Sequence, residues 1–100
     1  MVKHVIIWTL KDNLGTEEKN AIKKEAKEKL EALVGKIDGL IEMKIQTDCL
    51  PTSNGEMMLD STFTSVEALA AYATHPMHQA VADQYVRPYT ASRRCMDFEV

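Results

Sequence analysis

A run of β-branched and aromatic side chains opens the chain. Lys3 to Leu10 is dense in Val, Ile, Trp and Thr and reads as a strand. A turn at Lys11-Asp12-Asn13-Leu14-Gly15 follows. Thr16 is placed to cap a helix, with Glu17 and Glu18 in the first turn, where the helix dipole favours carboxylates. Ile22, Ala26, Leu30, Leu33 and Val34 recur at helical spacing, so this helix is expected to run to about Val34 and stop at Gly35. After the Asp38-Gly39 turn, Ile41, Met43 and Ile45 alternate with Glu42, Lys44 and Gln46, the pattern of a half-buried strand over Leu40 to Thr47. Asp48 to Gly55 holds Pro51, Asn54 and Gly55 and reads as a loop, and Glu56 to Phe63 as a third strand.

Ser65 then caps a helix carrying Val66, Leu69, Ala70 and Ala73. His75-Pro76 interrupts it, because a residue before proline is pushed out of the α region, whereas proline suits the first position of a new helix. That helix is expected to reach about Val86, and Arg94 to Glu99 forms the last strand. The order β-α-β-β-α-α-β is that of the ferredoxin-like α+β plan, an antiparallel sheet with helices on one side.

Such a sheet has a second face, and a monomer should keep it polar. The first strand does not. His4, Ile6, Trp8 and Leu10 point one way, Val5, Ile7 and Thr9 the other, and both sets are largely apolar. The third strand adds Met57, Leu59 and Phe63 to one side and Met58 to the other. Local loops or the C-terminal residues could cover the second face. A homodimer packed sheet face against sheet face is the expectation, since soluble monomers avoid large apolar patches.

The chain has 100 residues, 45% of them hydrophobic, which suits a single domain over residues 1–100. No apolar run approaches the ~20 residues of a membrane span, and no signal peptide is recognised at the start. A formal charge of −3 argues against nucleic acid as the main partner. From Lys19 to Lys29 the charges alternate in sign, as on a solvated helix face. Cys49 and Cys95 are too few and too far apart for a disulfide framework, so reduced thiols and a cytoplasmic location are expected.

Candidate chemistry rests on histidine and tyrosine. His78, Val81, Ala82 and Tyr85 fall on one helical stripe, which turns His78 inward at the first turn of its helix. The dipole there disfavours imidazolium, and a neutral imidazole in an apolar space suits a general base. Tyr72 stands one turn before His75, and its hydroxyl can hydrogen-bond a substrate carbonyl. His4 shares a strand face with Ile6 and Trp8, and Tyr89 is within reach of the same space. The competing readings are structural: His75 as a helix cap, His78 as a satisfied core histidine. His75 and His78 lack a third sequence-local ligand, so no metal site is expected.

Lys3-His4-Val5-Ile6, Phe63-Thr64-Ser65-Val66-Glu67-Ala68-Leu69, Tyr72-Ala73-Thr74-His75-Pro76-Met77-His78, Asp83, Tyr85 and the closing Asp97-Phe98 carry a resemblance that spans nearly the whole chain. The sequence resembles the stress-responsive A/B barrel (Dabb) family. The resemblance implies a dimeric α+β barrel with a pocket inside each subunit, between sheet and helices. A plant branch similar to olivetolic acid cyclase performs aldol cyclisation without a cofactor. By that resemblance Tyr72 and His78 would carry acid–base chemistry and His4 would line the pocket; the strand faces and the helix stripe add Ile6, Trp8, Met57, Leu59, Val81 and Tyr89 as expected lining. Met57 replaces a pocket histidine of that branch, and Ala26 a bulky aromatic, so its substrate is not implied. Two functions are therefore expected to compete: a cofactor-free acid–base enzyme on a small carbonyl compound, and a non-catalytic stress-response or hydrophobic-ligand-binding dimer.

Overall fold

A computed structural model describes residues 1–100. Its elements are β1 (Val2–Leu10), α1 (Thr16–Glu31), β2 (Leu40–Gln46), β3 (Met57–Phe63), α2 (Val66–Thr74), α3 (Pro76–Tyr85), a 3-10 turn at Arg87–Tyr89 and β4 (Thr90–Glu99). The four strands form one antiparallel sheet in the order β2-β3-β1-β4. This is the ferredoxin-like arrangement that the order of elements implied.

Strand periodicity places Val2, His4, Ile6, Trp8 and Leu10 on the helix side of β1, all buried. Met57, Leu59, Ser61 and Phe63 of β3 join them. Ala26, Leu30, Leu33, Ile37, Tyr72 and Val86 close the core from the helix layer. The one buried hydroxyl of that sheet face, Ser61 Oγ, is satisfied by donating to the His4 carbonyl at 2.8 Å.

Four local expectations change. Gly15, not Thr16, is the N-cap of α1; it has no side chain to cap the helix, and its own N–H donates to Glu18 Oε1 at 3.3 Å, the reciprocal half of a capping box. The helix ends at Glu31, three residues short of Val34. The chain then turns through Gly35 at φ +87°, keeping Leu33 and Ile37 in the core while Val34 is exposed. In β2 the register slips between Leu40 and Glu42, so Leu40, Met43 and Ile45 are buried and Ile41 is turned to solvent. Last, β4 begins at Thr90 instead of Arg94. Thr90-Ala91-Ser92-Arg93 has no apolar alternation of its own; pairing with β1 makes it a strand.

The second sheet face is open. Cross-strand partners share a face, so Val5 and Met96, Lys3 and Phe98, and Ile7 and Met58 stand together there. Ile7, Met96 and Phe98 are exposed, interleaved with a Lys3–Asp60 ion pair at 2.6 Å. No helix is long and apolar enough to cross a membrane.

Candidate functional site

A cavity of about 510 Å³ lies between the helix layer and the β1–β4 half of the sheet. Its sheet wall is made of His4, Ile6 and Trp8 from β1, Leu59 from β3, and Arg93, Cys95 and Asp97 from β4. α2 and α3 supply Tyr72, Ala73, His78 and Ala82 on the other side. Six of the residues expected at the site therefore meet in one cavity: His4, Ile6, Trp8, Leu59, Tyr72 and His78. Three expected residues do not line it. Met57 is buried one step further along β3, where it borders a shallower groove under the β2–β3 loop. Val81 packs against the core beside Tyr85, and Tyr89 sits in the 3-10 turn.

The helix break positions the key side chains. Ser65 Oγ accepts from Ala68 N at 3.0 Å and starts α2, which carries Tyr72 on its inner face. His75 caps α3: its Nδ1 accepts from Met77 N at 3.1 Å. That consumes His75 in structure and leaves His78, one turn on, for the cavity. The His78 ring lies over the Tyr72 ring with centroids 4.1 Å apart and 30° between planes. Its Nδ1 is 3.3 Å from the Ala73 carbonyl oxygen. A carbonyl only accepts, so Nδ1 carries the hydrogen in this bond and Nε2 keeps its lone pair. Burial, together with the charge of Arg87 and the neighbouring His4, holds the imidazole below the ordinary histidine range, despite the Ala73 bond, which acts the other way. His78 is thus half-buried, in surroundings that favour its neutral form.

Tyr72 is almost wholly buried, its ring 5.0 Å from that of Phe63 and 6.3 Å from that of His4, centroid to centroid. Its hydroxyl has no hydrogen-bond partner. Burial pushes the phenol far above its ordinary range, with the Arg93 charge pulling back only in part, so it stays protonated and keeps an O–H to donate. An unpartnered buried hydroxyl is uncommon enough in a folded protein to call for an explanation.

His4 Nδ1 stands 2.5 Å from Asp97 Oδ1. A carboxylate accepts, which makes Nδ1 the donor. The Cys95 thiol donates to the same carboxylate oxygen at 3.5 Å, and burial and the Asp97 charge raise its pKa, so it is a poor nucleophile. The His4, Cys95 and Asp97 ligand atoms lie within 4.8 Å of one another, a donor set that could hold a thiophilic cation. The 2.5 Å between His4 and Asp97 is, however, a hydrogen bond; two ligands of one tetrahedral ion stand roughly 3.3 Å apart. Asp97 was not among the expected site residues. Its position follows from register alone: Asp97 pairs with His4, Cys95 with Ile6 and Arg93 with Trp8. The cue in the sequence was weak, because the apolar residues of β4, Met96 and Phe98, belong to the opposite face.

A four-stranded ferredoxin-like sheet with a partly open His–Tyr cavity beneath its helices defines the class: a small α+β protein of ferredoxin-like fold. The chain belongs to the stress-responsive A/B barrel domain (Dabb) family, whose pattern it matches over residues 2–100. It is similar to a dimeric protein of unknown function with a ferredoxin-like fold from Bacteroides fragilis, at 31% identity over 99% of this chain and 95% of that one, with a TM-score of 0.92. A dimeric ferredoxin-like protein of unknown function from Jannaschia sp. matches at 25% identity and TM-score 0.76, covering 99% and 98% of the two chains. Hydroxynitrile lyase from Passiflora edulis shares the fold at 18% identity and TM-score 0.69, covering 97% of this chain and 90% of that one. No curated protein matches.

Proposed function

We propose that this protein is a cofactor-free acid–base enzyme acting on a small carbonyl compound, built as a homodimer through the open sheet face. The observation that carries the reading is the buried, unpartnered Tyr72 hydroxyl stacked beside a neutral His78. Folding left one donor without an acceptor, and a substrate oxygen would supply it.

The chemistry is a proton transfer. With the carbonyl oxygen accepting from Tyr72 O–H, a C–H bond next to the carbonyl breaks and its proton goes to His78 Nε2. The bonding pair moves onto the carbonyl oxygen as an enolate, held by the tyrosine hydrogen bond. The enolate carbon then takes back a proton or attacks a second carbonyl carbon, whose oxygen is protonated by the His78 imidazolium. Either route returns His78 to its neutral form. His4, oriented by Asp97, is a positioning group that offers Nε2 to the substrate.

Dimerisation is supported by the exposed apolar side chains Ile7, Met96 and Phe98 on one sheet face and by the dimeric relatives. The test is exchange of α-protons of small ketones in D2O, followed by NMR. Wild type should accelerate exchange of some member of a ketone panel, and His78→Ala should remove the acceleration. Undiminished exchange in His78→Ala overturns the mechanism. A second reading, a non-catalytic ligand-binding dimer, is favoured by the apolar lining, since twelve of the eighteen lining residues are hydrophobic. It predicts ligand binding with no exchange in any variant.

A further inference from the structure

β4 sends adjacent arginines to opposite faces of the sheet. Arg94, paired with Ile7, lies on the open face; Arg93, paired with Trp8, lines the cavity. The cations of the protein's five ion pairs are Lys3, His4, Lys19, Lys27 and Arg87, so Arg93 has no carboxylate partner. Arg87, the other guanidinium of the cavity, is engaged by Asp83 and by Gln79 Oε1. The cavity's own carboxylate, Asp97, is engaged by His4 and starts four residues further along the strand, roughly 13 Å away along the backbone. One guanidinium without a carboxylate partner, exposed and with only the Cys95 thiol beside it, therefore stands at the wall of a mostly apolar cavity. Its field reaches the interior, where it pulls down both the Tyr72 phenol and the Cys95 thiol against the effect of burial.

A guanidinium presents paired N–H donors in a plane, the geometry that grips both oxygens of a carboxylate. Apolar walls around it call for a ligand with an apolar body, and about 510 Å³ suits a small molecule. We infer that the cavity selects small apolar monocarboxylates, with the carboxylate on Arg93 and the body against Ile6, Trp8 and Leu69. For the substrate this rests on the proposed acid–base reading and narrows it to keto acids; the carboxylate preference itself stands without any turnover.

The test is binding. Hexanoate, hexanamide and inorganic phosphate are titrated into wild type and Arg93→Gln by calorimetry, with thermal unfolding of both proteins as the check on folding. Hexanoate should bind wild type at least about tenfold more tightly than hexanamide, as expected when a charge-assisted pair is made. Arg93→Gln should bring that ratio to about one and leave hexanamide binding unchanged. No preference in wild type, a preference that survives in Arg93→Gln, or phosphate binding as tightly as hexanoate would each overturn the inference. The two measurements on wild type separate the two proposals. Retained hexanoate preference with no α-proton exchange in wild type sinks the acid–base reading alone, and exchange without the preference sinks this one alone.

Discussion

Replacing Tyr72 by Phe deletes one oxygen and should make the protein more stable and less active. The ring stays where it is, 5.0 Å from Phe63 and 4.1 Å from His78, so packing is preserved. What is lost is a buried hydroxyl with no partner. Leaving such a group unsatisfied costs about 1–3 kcal/mol, against a small loss of dispersion contacts around the vacated oxygen. A net gain of about 1 kcal/mol follows, or a rise in Tm of roughly 4–8 °C for a domain of this size. Urea unfolding followed by circular dichroism, at one fixed protein concentration, measures it; a higher midpoint with an unchanged slope is the expected outcome. In parallel, α-proton exchange should fall by about 10²-fold, the usual effect of removing an oxyanion donor. A Tyr72→Phe protein less stable than wild type would show that the hydroxyl is satisfied in the folded state. The reason for assigning it to a substrate would then be gone.

Three further outcomes follow from other parts of the molecule. The folded state holds the His78 pKa below the unfolded value of about 6.5, so protonation favours unfolding. Stability from this group is present above pH ~6.5 and lost as pH falls through the lower folded value; urea midpoints measured across that window should lose this slope in His78→Gln. Gly39→Ala should destabilise by about 2–4 kcal/mol, because Gly39 has φ +83° and an added Cβ would lie 2.5 Å from the Ala68 Cβ. Thermal unfolding no different from wild type would refute it. Met96→Glu places a carboxylate on the open sheet face twice per two-fold dimer, and should shift the assembly to monomer in light scattering by weakening association about 10²-fold or more. An unchanged dimer would mean that this face is not the interface.

The cavity lining was legible in part because helix signals are local. Ser65, Pro76 and the spacing from Tyr72 to His78 lie within fourteen residues, and each acts through its own turn of backbone. The inward face of β1 was legible for the same reason: side chains alternate, so His4, Ile6 and Trp8 share a face whatever the rest of the chain does. Where a local signal was overridden, a neighbour did it. Ile41 fits the alternation of β2, yet the register slip opposite Phe63 turns it out. Met57 belongs to the right face of β3, but lies past the end of the cavity.

The sequence by itself determined the order of elements, the inward set of β1 and the pairing of a tyrosine with a histidine across a proline break. Those depend on contacts a few residues apart, which composition and spacing encode directly. Only the tertiary structure decided the carboxylate on His4, the thiol beside it and the lone guanidinium of Arg93. All three come from β4, more than eighty residues from the strand it pairs with, and their facing depends on a register that no local pattern records. In β4 the apolar alternation marks the face left open by one subunit, so local pattern pointed away from the cavity while hydrogen bonding to β1 built its wall.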